Sequence, residues 1–167
     1  MKILSLALGA ACALVLSAGA SLADMKVALR GGWDGNTVPA GQHCGLHGGK
    51  GMSPPMNVSG LPDGTVWVYV EFNDRDYRPL SRKGGHGVIG YPANGSKVTV
   101  TSVPEKSRKL PGGAKVIKAA RSSGKYASKG YLAPCSGGKG NRYFADVKAI
   151  SAQGKVLEAV KVELGRY

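Results

Sequence analysis

The sequence predicts a mainly β fold with long loops and little helix, and three observations lead there. The 167 residues include 26 Gly and 9 Pro, a load that interrupts helices and follows no third-residue period of the collagen kind. Hydrophobic residues make up 43% and charged residues 20%, with a mean hydropathy of −0.12, so the chain has enough apolar side chains to fold around a core. The apolar stretches are short, rich in Val and Ile, and bounded by turn residues.

Taken in order, these stretches place strands at Lys26–Leu29, Thr65–Phe72, Gly87–Tyr91, Lys97–Val103, Lys115–Ala119, Arg142–Ile150 and Lys155–Leu164. The clearest is Thr65-Val66-Trp67-Val68-Tyr69-Val70-Glu71-Phe72, nearly all β-branched or aromatic, entered through the turn Pro62-Asp63-Gly64 and expected to be partly buried on both faces. Val98 and Val100 alternate with Thr99 and Thr101, as a strand with one wet face should. The segment from Lys155 fits a helix by composition, yet the turn Ala152-Gln153-Gly154 before it favours a hairpin with the preceding strand.

Residues Met1–Ala23 carry Lys2, an apolar run from Ile3 to Leu16, and the ending Ser21-Leu22-Ala23. This is the pattern of a cleavable secretory signal, and Cys12 inside the run lacks the signature of a lipid attachment site. The expected mature chain is therefore a single domain, 24–167, in the periplasm or secreted, without a transmembrane segment. Its two cysteines, Cys44 and Cys135, form an even pair in an oxidising compartment and are expected to be joined. Such a bond closes a loop of about 90 residues and contributes on the order of 4 kcal/mol. His43, Cys44 and His47 could also hold a transition metal from one loop; oxidation of Cys44 makes that the minor expectation, and no metal or cofactor is expected.

The formal charge of +13 draws the protein to anionic envelope surfaces in a salt-dependent way. A nucleic-acid partner is not expected, because no module interleaves aromatics with the basic residues. Enzyme signatures are also missing: there is no Gly-x-Ser-x-Gly, no His-Glu-x-x-His and no P-loop, and the acidic residues nominate no acid/base pair.

Four blocks carry chemistry. They are Cys44-Gly45-Leu46-His47 running on to Ser53-Pro54-Pro55-Met56, then Asn73-Asp74-Arg75-Asp76, then Gly84-Gly85-His86-Gly87, and last Ala133-Pro134-Cys135-Ser136-Gly137-Gly138-Lys139-Gly140-Asn141-Arg142-Tyr143-Phe144. Open backbone amides, an arginine and a histidine make an anion site plausible on chemical grounds. In this order the blocks resemble the phosphatidylethanolamine-binding protein family in its bacterial Raf-kinase-inhibitor-like branch, over about Cys44 to Tyr167. Ser53-Pro54-Pro55-Met56 is similar to the family's Ser-Pro-Pro-Leu, Asp74 to an aspartate of its acidic motif, and His86 to its histidine. Pro134 with Arg142-Tyr143-Phe144 is similar to its Gly-rich block, and Leu164-Gly165-Arg166-Tyr167 to its closing strand.

The chain departs from the family pattern at Phe72, Gly87, Ser136-Gly137 and Asn141. The resemblance implies an antiparallel sandwich-like domain with a large central sheet and a smaller second sheet. It also implies a non-enzymatic binding or inhibitory protein with a small pocket for a phosphate-like anion or phospholipid head group, built from Asp74, His86, Pro134, Arg142 and Tyr143. Each residue has a plain structural role open to it as well: Asp74 as an Asx turn, His86 as a hydrogen-bonded strand end, Arg142 as surface charge. The alternative function is a basic protein that binds the anionic envelope or a protein partner by its surface, its pocket decayed.

Overall fold

The computed structural model describes residues 24–167; the expected signal, 1–23, lies outside the described residues. Eight strands are present among them: Lys26–Leu29 (β1), Met56–Ser59 (β2), Thr65–Asp74 (β3), Val88–Pro92 (β4), Lys97–Val100 (β5), Lys115–Lys118 (β6), Arg142–Ser151 (β7) and Val156–Arg166 (β8). Among the described residues helix is confined to single 3₁₀ turns at Gly45–His47, Arg78–Leu80 and Gly124–Tyr126. The strands form a three-stranded sheet in the order β1-β2-β5 and a five-stranded sheet in the order β6-β4-β3-β7-β8, and every pairing is antiparallel. The expected fold class is therefore the observed one. No helix of the described residues is long and apolar enough to cross a membrane.

Strand β3 forms where its composition says it should. Its entry turn is closed by Thr65, whose amide and hydroxyl both donate to the Pro62 carbonyl, at 3.2 Å and 2.6 Å. Val68, Val70 and Phe72 point inward, while Trp67, Tyr69 and Glu71 alternate onto a half-buried outer face, the period of two that a pleated strand imposes. Opposite them Ile89 and Tyr91 of β4 and Ala145, Val147 and Ala149 of β7 join Met56, Val58, Val98 and Val100 of the smaller sheet in one core. Burying each of these larger aliphatic side chains contributes about 1.5–3 kcal/mol. On the outer face Lys148 Nζ donates to Glu71 Oε1 at 2.7 Å, and Lys161 lies 3.9 Å from the centre of the Phe144 ring.

The structure corrects several boundaries. The strand β2 was not expected, because Met56-Asn57-Val58-Ser59 has ordinary composition; its period-two burial, with Met56 and Val58 inward, is the signal. The strand expected over Lys97–Val103 ends at Val100, since Val103 turns to exchange hydrogen bonds with Ser53: its amide donates to Ser53 Oγ at 2.9 Å and its carbonyl accepts the Ser53 amide at 3.0 Å. The C-terminal segment is the second arm of a hairpin, with Val147 opposite Val160, and it continues to Arg166. Cys44 and Cys135 are disulfide-bonded with their Cα atoms 5.2 Å apart, stapling the loop before β2 to the loop before β7.

Candidate binding site

Antiparallel neighbours bring the end of β3 beside the beginnings of β4 and β7, and the chemistry gathers there. Asp74 is the last residue of β3 and lies opposite Tyr143 in the ladder. Its Oδ1 accepts the amides of Asp76 and Tyr77 at 2.9 Å and 3.1 Å, an Asx turn, and its Oδ2 accepts Asn141 Nδ2 at 2.8 Å. The neighbouring Asn73 ties this strand end to the segment before β4, its Oδ1 accepting the Gly85 amide at 3.1 Å.

His86 is held on three sides. Its amide donates to the Phe72 carbonyl at 2.9 Å, and its carbonyl accepts the Leu132 amide at 2.8 Å. Its Nδ1 lies 2.9 Å from the Leu132 carbonyl. A carbonyl only accepts, so Nδ1 carries the proton and Nε2 presents a lone pair. That Nε2 is buried and has no partner among the described residues. Burial holds the imidazole below its ordinary pKa of 6.5, against the upward pull of the Leu132 carbonyl and the Asp74 charge. Tyr143 meets the His86 ring edge-on, centroids 5.5 Å apart, and its hydroxyl accepts the Cys135 amide at 3.2 Å. Burial, and secondarily Asp74, pushes that phenol's pKa well up, so it stays a neutral donor.

These groups line a cavity of about 400 Å³ whose other walls include Tyr77, Arg121, Ser122, Tyr126, Ser136, Lys139 and Asn141. Ser122 Oγ, on the same wall, is a second buried polar atom without a partner among the described residues. Three of the five expected pocket residues, Asp74, His86 and Tyr143, therefore meet at the cavity. Pro134 is buried beside it and accepts the Cys44 amide at 2.9 Å, which places it behind the wall. Arg142 does not line the cavity. Tyr143 points inward, so strand alternation turns Arg142 the other way, where its Nε donates to Asp76 Oδ2 at 3.0 Å and its amide to the same oxygen at 2.7 Å. That guanidinium holds the Asp76 carboxyl far below the usual carboxylate range.

The cations at the cavity are instead Lys139 and Arg121. Lys139 was legible inside the Gly-rich block, but Arg121, Ser122 and Tyr126 lie in a stretch with no motif that would single them out. The loop cluster also differs from the expected metal set. Cys44 and His47 are joined by Cys135, whereas His43 Nε2 donates to the His47 carbonyl at 3.0 Å and its ring stacks on Tyr167 at 4.4 Å.

This architecture matches solved structures. YbcL of E. coli, described as a new member of the mammalian phosphatidylethanolamine-binding protein (PEBP) family, superposes with a TM-score of 0.57 at 20% identity, over 87% of this chain and 98% of its own. CT736 of Chlamydia trachomatis, described as a PEBP homologue, gives a TM-score of 0.55 at 17% identity, over 86% and 96% of the two chains. The fold is that of the PEBP homologues. No family model matches the sequence, and no curated protein sequence does.

Within the PEBP fold, the departures of this chain have local reasons. Phe72 packs on Tyr131, centroids 4.6 Å apart. Gly87 has φ +107°, and a Cβ there would stand 2.7 Å from the Gly130 carbonyl oxygen, a place no tryptophan could take. Asn141 anchors the Asp74 carboxylate, and Gly137 lets its loop close over the His47 ring.

Proposed function

We propose that this protein is an exported, non-enzymatic binding protein whose cavity takes a phosphate-like anion, free or as a phospholipid head group. The observation that carries the reading is the buried, unpartnered Nε2 of His86 on the cavity wall, since a buried polar atom left without a partner costs about 1–3 kcal/mol unless something fills the role. A phosphate monoanion supplies the missing donor through its own P–O–H, or passes that proton to Nε2 and leaves an imidazolium beside the anion. The Ser122 hydroxyl, the Tyr143 phenol and the Asn141 amide offer hydrogen-bond donors, and Lys139 and Arg121 supply positive charge. Asp74, the one carboxylate of the cavity lining, has both oxygens hydrogen-bonded to Asp76, Tyr77 and Asn141, which suits positioning and binding better than proton transfer. Export rests on the expected signal at 1–23, and a lipid or envelope setting on the formal charge of +13.

The test is an NMR titration with inorganic phosphate and with phosphoethanolamine at moderate salt, run on the wild type, His86→Gln and Lys139→Ser. The expected result is a saturable shift of the His86 ring in the wild type that survives added salt, with affinity, followed at the amides lining the cavity, about tenfold weaker in each variant. Diffuse shifts over many lysines that disappear with salt would overturn the pocket and favour a partner that binds by surface charge alone.

A further inference from the structure

Beside the cavity, and sharing Cys135 with its lining, lies a second cluster with its own chemistry. Cys44 Sγ, Cys135 Sγ and a ring nitrogen of His47 lie within 4.8 Å of one another. Metal–sulfur and metal–nitrogen bonds of about 2.3 Å and 2.0 Å put neighbouring ligand atoms roughly 3.5–4 Å apart, a separation that small side-chain movements reach once the disulfide is open. The cluster is layered, with Cys44 fully buried, Cys135 half-buried and His47 exposed. An ion could therefore arrive from the surface and end with its sulfur side in the protein.

The backbone around these donors does not depend on the disulfide. The Cys44 amide donates to the Pro134 carbonyl at 2.9 Å, and the amides of His47 and Gly49 both donate to the Cys44 carbonyl at 3.1 Å. The Glu105 carboxylate bridges the two segments, accepting the Gly45 amide at 2.9 Å and the Ala133 amide at 3.4 Å. Gly137 completes the enclosure: it has φ +69° and a Cβ there would stand 3.2 Å from His47 Cε1, so glycine lets the loop lie close on the imidazole.

We propose that the reduced protein binds one Cu(I) ion through Cys44 Sγ, Cys135 Sγ and His47. Two soft thiolates and an imidazole, with no fourth donor in the cluster among the described residues, suit a three-coordinate soft monovalent ion better than a tetrahedral divalent one. A dithiol reductant opens the site. The Cys44–Cys135 bond breaks, the reductant's two thiols oxidise to a disulfide, and their two protons and two electrons leave Cys44 and Cys135 as thiols. Cu(I) then displaces both thiol protons to solvent without changing its own oxidation state. The site uses none of the side chains assigned to the anion, although Cys135 also lines the cavity.

The test reduces the protein with a phosphine, removes the phosphine without air, and titrates with Cu(I) held by a chromogenic chelator, while amide spectra follow the fold. One Cu(I) per chain is expected, absent from the oxidised protein and from Cys135→Ser, and bound at least about tenfold more weakly by His47→Ala. His43→Ala should bind as the wild type does, since its ring is engaged with the His47 carbonyl and Tyr167. No Cu(I) uptake would overturn the site. So would equal affinity in His47→Ala, dependence on His43, or loss of the folded spectrum on reduction.

Discussion

At the scale of single residues, His86 is the group whose environment makes the sharpest demand. Its proton sits on Nδ1, and burial disfavours a second one, holding the imidazole below its ordinary pKa of 6.5. In the unfolded chain the same imidazole titrates near 6.5. As pH falls below that value the unfolded state binds the proton first, and stability drops with it. We expect the unfolding free energy to lose up to about 1.4 kcal/mol per pH unit below 6.5 through this group, a component missing from His86→Gln. Urea titrations of both proteins at pH 8, 6 and 5 check this, and saturating phosphate should flatten the wild-type slope by favouring the imidazolium. Parallel curves for the two proteins would show that His86 protonates freely in the fold. Arg142 shows how far a residue's type can mislead about its place: it adjoins the Gly-rich loop as an anion ligand would, yet the pleat sends it to Asp76.

The elements carry constraints that no single contact explains. The approach to β4 is threaded against the chain at Gly130 and Tyr131, and a Cβ on Gly87 would stand 2.7 Å from the Gly130 oxygen, at φ +107°. Gly154, in the turn between β7 and β8, has φ +77°, and a Cβ there would meet nothing within 4 Å. Gly154→Ala should cost about 1 kcal/mol, the ordinary penalty of a left-handed conformation. Gly87→Ala should cost about 2–4 kcal/mol, strain and overlap together. Denaturation midpoints of the two variants separate these cases; equal losses would mean that the backbone approach at Gly87 relaxes freely. The strands themselves differ in how openly they announce themselves. Composition marks β3 from end to end, whereas β2 depends on only two inward residues, Met56 and Val58, and is completed by its neighbours β1 and β5.

At the scale of the molecule, one covalent bond and one shared core hold two sheets together. The Cys44–Cys135 bond spans 91 residues, and the chain-entropy account gives about 4 kcal/mol for its constraint on the unfolded state. Reduction should therefore lower the unfolding free energy read from urea titrations by that amount, and the midpoint with it, while leaving the amide spectrum folded, because the core of Val68, Val70, Ile89, Val147 and their neighbours is intact without it. An unchanged midpoint would show that the bond constrains little in the unfolded chain.

The sequence by itself determined the β character, the hairpin at the C-terminus, the pairing of Cys44 with Cys135 and the convergence of Asp74, His86 and Tyr143. The first three follow from local signals: period-two patterning, turn residues and an even pair of cysteines; the convergence was what the resemblance of the ordered motif blocks to a known family implied. Only the tertiary structure decided which way Arg142 faces, which cations flank the cavity, and that Cys135 rather than His43 completes the cluster at His47. Arg121 and Ser122 come to the cavity wall through hydrogen bonds between distant segments, such as the Arg121 amide to Gly85 and the Ala120 amide to Gly130. The physical reason is that a side chain's direction and company are set by register and by pairings across tens of residues, and short stretches of sequence do not encode either.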